Sequence, residues 1–488
     1  MAADKRFLRV AGLSGALVVL LAACSLEPRY RKPPLPVAEQ WPIPAVATGG
    51  TASNTAAVQA HDAEMGYSDV GWRDFFVDAH LQELIAQALA NNRDLRVAVL
   101  NVANARAQYR IARADRLPSV GATGSYTRQE LPPALSYGAP SSIIPSYEVD
   151  LGISAFEIDL FGRVRSLSHA ALEQYFAQEE SRRNAQLVLV SEVANAYLTL
   201  AADNESRKLA DETLKNQRDS YALTEKLYQT GAASELDLAQ ARTTVESARI
   251  DSARYEGNVK QDINALTLLV GKHIDPNLLP PALDGPVTGL QELPADLPST
   301  VLLRRPDVLA AEHTLRAANA NIGAARAAFF PTISLTAVAG VASEQLSGLF
   351  KAGSSTWTVA PQATLPIFEG GRLRAALKSS HVDRDIAVAQ YEKAIQSGFR
   401  EVADALVLSN ALSREQEAAT ALVDASKRAY ELSQRRFQAG RDSYLNVLDS
   451  ERSMYSAQQG LIAIRLAEQS NRVNLYKVLG GGWLEHGR

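Results

Sequence analysis

Apolar and polar positions follow two different rhythms along this chain. Residues 146–155 alternate with period two: Tyr147, Val149, Leu151, Ile153 and Ala155 share one face, and Ser146, Glu148, Asp150 and Ser154 the other. Residues 357–367 do the same, with Trp357, Val359, Pro361, Ala363, Leu365 and Ile367 opposite Thr358, Ala360, Gln362 and Thr364. Ile333, Leu335, Ala337, Ala339 and Val341 give a third apolar face, and residues 120–126 a weaker fourth. Such alternation belongs to strands whose two faces meet different solvents, here lipid and a wet lumen. It predicts strands at about 118–130, 146–160, 331–343 and 356–368. Four strands of about ten residues cannot close a barrel, which takes about eight, so several chains must share one.

Elsewhere the rhythm is helical. A pattern opens at Trp72, runs through Leu81, Leu84, Leu95 and Ile111, and stops at Leu117-Pro118, where proline cannot continue a helix. Two much longer runs extend from Arg163 to about Gln229 and from Arg372 to about Gln438. At 1.5 Å per residue each is on the order of 100 Å long, beyond the usual globular helix. Each ends at a glycine, Gly231 or Gly440, and a second helix returns to about Val270 or Leu479. On the last helix Leu445, Leu448, Tyr455, Ile462, Leu466, Val473 and Tyr476 form a coiled-coil stripe broken by Arg452, Gln459 and Gln469. The stripe after Gly231 is weaker and rich in alanine.

The chain also repeats itself. Val193-Ala194, Tyr221 and Gly231 recur 209 positions later as Val402-Ala403, Tyr430 and Gly440. Ala112-Arg113 and Pro118 recur 213 positions later as Ala325-Arg326 and Pro331. A period this long indicates an internal two-fold duplication rather than a solenoid. The expected organisation is a leader at 1–23, a strap at 24–60 marked by Pro28, Pro33, Pro34, Pro36, Pro42 and Pro44, and a first repeat at 61–274. A connector at 275–298, a second repeat at 299–480 and a tail at 481–488 complete it, with helical hairpins at about 163–270 and 372–479.

Composition adds compartment and anchor. With 46% hydrophobic and 21% charged residues in 488, the chain can bury a sizeable core. Its net charge of −4 falls to −6 once residues 1–23, with Lys5, Arg6, Arg9 and Asp4, are removed, which gives no reason to expect nucleic acid as a partner. Those residues read as a secretory signal: a basic start, an apolar stretch from about Val10 to Leu21, then Leu21-Ala22-Ala23-Cys24. The small residues before Cys24 match the lipobox of bacterial lipoproteins, and Ser25 looks like the pattern of those sorted to the outer membrane. Cys24 is the only cysteine, so no internal disulfide forms, and a covalent lipid (palmitate) explains an exported lone thiol. No run of about 18 consecutive apolar residues follows it, so any membrane crossing is expected to be a β-barrel.

Lipobox, proline strap, two strand pairs, two very long helical hairpins and a duplication joining them resemble the TolC-type outer-membrane factors, closest to the lipoprotein branch that includes OprM and the NodT group. Asp159-Leu160-Phe161-Gly162-Arg163 and Phe368-Glu369-Gly370-Gly371-Arg372 look like the family's strand-to-helix transitions, and Arg304-Arg305-Pro306-Asp307-Val308 opens the second half in its manner. The resemblance implies a mainly α protein with a transmembrane β-barrel: a homotrimer with a barrel of about 12 strands in the outer membrane and a helical tunnel, or α-barrel, in the periplasm. It implies an exit duct that passively conducts drugs or toxic compounds. Its hairpin tips would dock a periplasmic adaptor (membrane-fusion) protein, which links it to an inner-membrane resistance-nodulation-division pump.

The tips read Gly231-Ala232-Ala233-Ser234-Glu235-Leu236-Asp237 and Gly440-Arg441-Asp442-Ser443-Tyr444-Leu445-Asn446, both fitting the family's Gly-x-x-Ser-x-Leu pattern. Glycine allows the turn, serine can cap the returning helix, and leucine re-enters the seam. By the same resemblance the second tip closes the channel, with Leu445 as an apolar ring, Asp449 as an acidic ring and Arg452 as its partner. The bland alternative is that Asp449 and Arg452 form a solvated i, i+3 pair. Where TolC carries a gate tyrosine this chain has Phe437, and its gate arginine position holds Asp442, so an OprM-like closure is expected instead of that latch.

Nothing in the chain spells an enzyme or a cofactor site. The histidines His61, His80, His169, His273, His313, His381 and His486 lack metal-ligand spacing, and neither a Gly-x-x-x-x-Gly-Lys loop nor a Gly-x-Ser-x-Gly elbow occurs. Two other readings remain open: a non-conducting coiled-coil lipoprotein that spaces envelope layers, and the duct of an ABC-type secretion system. The first leaves the four alternating strands without a purpose.

Overall fold

The computed structural model describes residues 25–41, 70–131, 142–283, 285, 287–289 and 298–486. The leader, Cys24, most of the strap and much of the connector lie outside the described residues. Helices α1 (Trp72–Phe75), α2 (Ala79–Asn91) and α3 (Arg93–Ala114) lead into strands β1 (Val120–Leu131) and β2 (Ser142–Ile158). Helices α4 (Arg163–Gln229) and α5 (Glu235–Val270) form the first hairpin. The second half repeats the order with α6 (Pro306–Ala327), β3 (Thr332–Ser343), β4 (Ser355–Thr364), α7 (Arg372–Gln438) and α8 (Tyr444–Val478). Glycines with left-handed φ angles recur at the 209-residue offset, Gly162 with Gly371, Gly231 with Gly440 and Gly271 with Gly480.

Two compact units partition the chain. The first takes the described residues within Met1–Pro34, Asn101–Glu179 and Ala310–Tyr391, and holds the sheet. Its strands run β1-β2-β3-β4, all antiparallel, so β1 and β4 are open edges. The register aligns the apolar positions on one face. Ile153 pairs with Val120 and Ala337, Leu151 with Ala122 and Ala339, and Leu335 with Phe156 and Pro361. Opposite them Asp150 pairs with Thr123 and Gly340, and Ser334 with Gln362. A side chain at Gly340 is excluded because its Cβ would lie 2.2 Å from the Val149 carbonyl oxygen and from the Asp150 carboxylate.

Two expectations about the strands need correction. The alternation of β2 does not pass through Ala155: a bulge between Ile153 and Phe156 places Ser154 and Ala155 opposite Thr336, whose Oγ1 accepts from the Ala155 amide at 3.1 Å. Ala155 adopts φ 51°, and Phe156 and Ile158 take over the apolar face. β4 ends at Thr364, short of Ile367, because its partner β3 begins at Thr332, directly opposite Thr364, and offers residues 365–367 nothing to pair with.

The second unit gathers the described residues within Leu35–Leu100, Glu180–Leu309 and Glu392–Arg488. Its core packs α1 and α2 against α4, α5 and the end of α8, through Trp72, Phe76, Leu81, Leu84, Leu198, Leu266, Val270, Val473 and Tyr476. Phe75 stacks on Tyr476 with centroids 3.8 Å apart. This core also explains why α4 carries a window apolar enough to cross a membrane: 61% of that window is buried in the protein, where Leu187, Val190, Val193 and Leu198 pack.

The duplication is written into the ends of the hairpins. In the first half the buried Asn92 side chain donates to the Leu269 carbonyl at 2.9 Å and accepts from the Leu95 amide at 2.9 Å. In the second half Arg305 occupies the matching position and donates to the Val478 carbonyl at 2.7 Å. It adds bonds to both oxygens of Asp307 at 3.0 and 2.7 Å and to Glu401 at 2.9 Å. The Arg-Pro-Asp motif is therefore a charged enlargement of a neutral amide link, tying the start of α6 to α7 and to the end of α8.

Candidate functional site

The two hairpin tips share a backbone. Ala232 donates to the Leu227 carbonyl at 2.8 Å and Arg441 to that of Arg436 at 2.9 Å, the six-residue closure that ends a helix on a left-handed residue. Gly231 and Gly440 take that conformation at φ 76° and 68°, with open space where a side chain would stand. Beyond these glycines the tips diverge. At the first tip Ser234 Oγ accepts from the Asp237 amide at 3.1 Å, and Asp237 accepts from the Ser234 amide at 2.9 Å, a reciprocal capping box. The Ser234 hydroxyl also donates to the Asp237 carboxylate at 2.7 Å, and this bond, with the one from the Ser234 amide, holds the Asp237 carboxyl below the usual range. Leu236 is 65% exposed.

At the second tip Ser443 begins α8 with no side-chain cap, and Asn446 stands where the first tip has Asp237. Asp442 pairs instead with Arg436 at 2.5 Å, which lowers its pKa. Leu445 is 56% exposed, and Asp449 and Arg452 are both exposed. Within the protomer no ion pair joins Asp449 to Arg452 among the described residues; the Asp449 carbonyl accepts from Ser453 Oγ at 2.9 Å. Arg452 lines a shallow groove with Ala419, Leu422, Ser456, Gly460 and Ile464.

The seam of α8 departs from the expected stripe at this level. Leu448 is buried, but the polar interruption facing inward is Glu451, 8% exposed, while Arg452 points out. A cluster of polar residues that the sequence did not reveal surrounds it. Gln217 of α4, 6% exposed, lies beside Glu451 and accepts from Thr244 Oγ1 of α5 at 2.7 Å. Tyr444, at the start of α8, meets Ser220 Oγ of α4 at 2.6 Å and packs against Phe437 with centroids 5.3 Å apart. Ser433 of α7 and Ser450 of α8 are 2.6 Å apart. Burial pushes the Glu451 carboxyl up, opposed only by the nearby Gln217 side chain, and pushes Tyr430 of α7 up to about 12 with help from the nearby Glu451. The only signal in the sequence was a glutamate one residue from the arginine that the stripe seemed to select.

Residues 26–32 of the strap are bound within the first unit. The Leu26 carbonyl accepts from Arg326 at 3.4 Å and the Pro28 carbonyl from Asn319 at 2.7 Å. Lys32 pairs with the buried Glu312 at 2.8 Å, and Arg316 lies over the Tyr30 ring at 5.0 Å. Glu27 lies 3.0 Å from His169, which also approaches Glu173; His313 reaches Glu173 at 2.6 Å. Two histidines that look scattered in sequence thus converge on one carboxylate. Burial pushes Glu173 up, but the bonds from His169 and His313 outweigh it and hold it at about 2. Bonds to Glu173 and Glu27 raise His169 to about 10. No group of three or more His, Cys, Asp or Glu among the described residues is arranged to hold a metal ion.

The model of the family described as "Outer membrane efflux protein" matches residues 84–272 and 297–481, one segment in each repeat. The toluene efflux pump outer membrane protein TtgC of Pseudomonas putida is 49% identical over 466 residues, covering 96% of this chain and 94% of TtgC. The antibiotic efflux pump outer membrane protein ArpC, also of Pseudomonas putida, is likewise 49% identical over 466 residues, with the same 96% and 94% coverage. The crystal structure of the open state of the Neisseria gonorrhoeae MtrE outer membrane channel superposes with a TM-score of 0.83 at 38% identity, covering 95% of this chain and 100% of that one.

Proposed function

The chain belongs to the outer membrane efflux protein family, and from that premise we propose that three copies form the exit duct of a tripartite efflux pump in the bacterial outer membrane. The sheet is the observation that carries this reading. It has an apolar face for lipid, a polar face with Asp150 and Gln362 for a wet lumen, and open edges on β1 and β4. An open edge left unpaired in a membrane is costly, and three such sheets joined edge to edge make a closed barrel of about 12 strands. A coiled-coil spacer has no use for such a sheet.

The duct is passive, so energy and substrate choice come from an inner-membrane pump of the resistance-nodulation-division type, reached through a periplasmic adaptor. By analogy with the toluene and antibiotic pumps to which TtgC and ArpC belong, the cargo is small organic toxicants. Gly231, Ser234, Leu236, Asp237, Gly440, Ser443 and Leu445 form the adaptor-contacting tips, a role supported by the exposure of Leu236 and Leu445 at the two turns. Leu445 and Asp449 of three copies form the gate. With Arg452 unpaired to Asp449 inside the protomer, its partner is the Asp449 of a neighbouring copy. Three aspartates around an axis concentrate negative potential, favouring cations. Cys24 carries the lipid, a role supported by the lipobox before it.

The test is a photo-crosslinker at Ser234 and, separately, at Ser443, in cells with native levels of the protein, with captured partners identified by mass spectrometry. Capture of a periplasmic adaptor at both tips is expected. Capture of peptidoglycan-binding proteins instead, together with migration on gels unchanged by heating, would favour the envelope spacer.

A further inference from the structure

The two halves differ at their roots and tips, but not where strands meet helices. Arg113, near the end of α3, recurs 213 positions on as Arg326, near the end of α6. Arg163 and Arg165, in the first turn of α4, recur 209 positions on as Arg372 and Arg374, in the first turn of α7. The register puts all four junctions at one end of the sheet. Val120 starts β1 opposite Ile153, Ile158 ends β2 opposite Ile333, and Thr332 starts β3 opposite Thr364 at the end of β4. Within ten residues of these strand ends stand eight arginines, Arg110 and Arg116 included, against only Asp115, Asp159 and Glu369. The segments that join the strands at the other end, residues 132–141 and 344–354, hold one acid and one base. We propose that this arginine collar binds the phosphate groups of anionic phospholipids in the inner leaflet of the outer membrane, and so fixes the depth of the barrel. This rests on reading the sheet as part of a barrel wall, and adds to that reading a class of lipid.

Three observations point to a partner outside the chain. Equivalent arginines do not share a contact within it: Arg326 donates to the Leu26 carbonyl at 3.4 Å, whereas the exposed Arg113 has no side-chain bond or ion pair among the described residues. A common structural duty would leave common contacts. Four of the arginines also stand in first turns, where the helix dipole disfavours a cation, and neither turn holds an acid. Glu157 and Glu369 offset this for Arg163 and Arg372, but Arg374 is exposed and meets no carboxylate among the described residues. A phosphate at these turns removes the conflict, and arginine binds phosphate through paired N–H bonds. Finally, a neighbouring copy cannot be the common partner, because Arg165 and Arg326 belong to the junctions of β2 and β3, the inner strands of the sheet. Both lie beside the strap: Arg326 bonds Leu26, two positions from the lipid site read at Cys24, and Arg165 is one turn before His169, which meets Glu27. The exposed Phe329 and Phe330, and Phe368 at 90% exposure, fall between the strands and the arginines, the level at which aromatic rings meet lipid headgroups.

The experiment reconstitutes the full-length protein in phosphatidylcholine vesicles and compares, by electron spin resonance, how strongly it immobilises spin-labelled phosphatidylglycerol and spin-labelled phosphatidylcholine. One arginine near an anionic surface is worth about fivefold in association, so a preference for phosphatidylglycerol of about fivefold or more is expected. It should shrink at about 1 M salt, where charges are screened beyond about 3 Å. R113Q/R326Q and R165Q/R374Q should each remove most of the preference, and R113K/R326K, which keeps the charge, should retain it. Equal immobilisation of the two lipids by the natural protein, or a preference unchanged in both glutamine variants, overturns the collar. So does a lower dissociation temperature of the variant trimers in phosphatidylcholine alone with the preference unmoved, which would assign the arginines to contacts within the protein. If one pair of substitutions prevents assembly, the other pair decides. Absence of any immobilised lipid around the natural protein would instead show that the sheet meets no bilayer, and would sink the barrel reading together with the collar.

Discussion

The two halves of this protein repeat one design, and they fasten it differently. At the root of the hairpin the first half uses Asn92 to join two elements through neutral hydrogen bonds, and the second uses Arg305 to join three through an ionic cluster. At the tip the contrast reverses. The first half caps its returning helix locally with Ser234 and Asp237, while the second leaves Ser443 without a side-chain cap and fastens Tyr444 to the opposite hairpin. Even the buried Glu451 stands where the first half has Arg242, 209 residues earlier. The second half is therefore rigid at its root and conditional at its tip. That division suits an element required to move at one end without loosening at the other.

The largest effect should come from the root. Arg305→Ala removes a guanidinium that is 9% exposed and leaves Asp307, Glu401 and the Val478 carbonyl without it. Breaking a buried pair costs about 3 to 5 kcal/mol, and because Glu401 is 38% exposed the lower end, about 3 kcal/mol, is expected here. Asn92→Ala loses two neutral bonds and should cost less, about 1 to 3 kcal/mol. Urea unfolding of the two variants measures the difference; equal losses would erase the distinction between the roots.

Next in size is the bond between the hairpins. Tyr444→Phe keeps the ring against Phe437 but strands Ser220, for about 1 kcal/mol. The loss should appear as faster amide exchange at the start of α8 with no change at the start of α5, because nothing in the first tip depends on Tyr444. Exchange that accelerates at both starts would mean the tips are coupled and the first is not self-contained.

Much of this architecture could be read from the chain. Alternation located the four strands, and the 209-residue offset located both tips, because burial on one face and a glycine turn are local requirements that leave a local pattern. The bulge at Ala155 was hidden, since an extra residue in a strand is defined by its partner Thr336 and not by its neighbours. Glu451 was hidden for a related reason. A heptad stripe tolerates a shift of one residue, and only packing beside Gln217 decides that Glu451 turns inward and Arg452 outward. Likewise the meeting of His169 and His313 at Glu173 joins positions 140 residues apart, which spacing alone cannot show.

The smallest expected effect tests the tips directly. Ser234→Ala removes the oxygen that caps the Asp237 amide and one partner of a capping box, and N-cap losses of this kind cost about 1 kcal/mol. Ser443→Ala removes a hydroxyl that caps nothing, so it should change stability by a few tenths of a kcal/mol at most. Asn446→Asp reverses the argument: it supplies the acidic residue that the second tip lacks at the position of Asp237, and should let Ser443 close a capping box of its own. Amide exchange at residues 444–448 then slows in Asn446→Asp and returns to its original rate in the double variant with Ser443→Ala. If Ser443→Ala alone costs as much as Ser234→Ala, the second tip is locally capped after all, and its dependence on the Tyr444–Ser220 bond loses its reason.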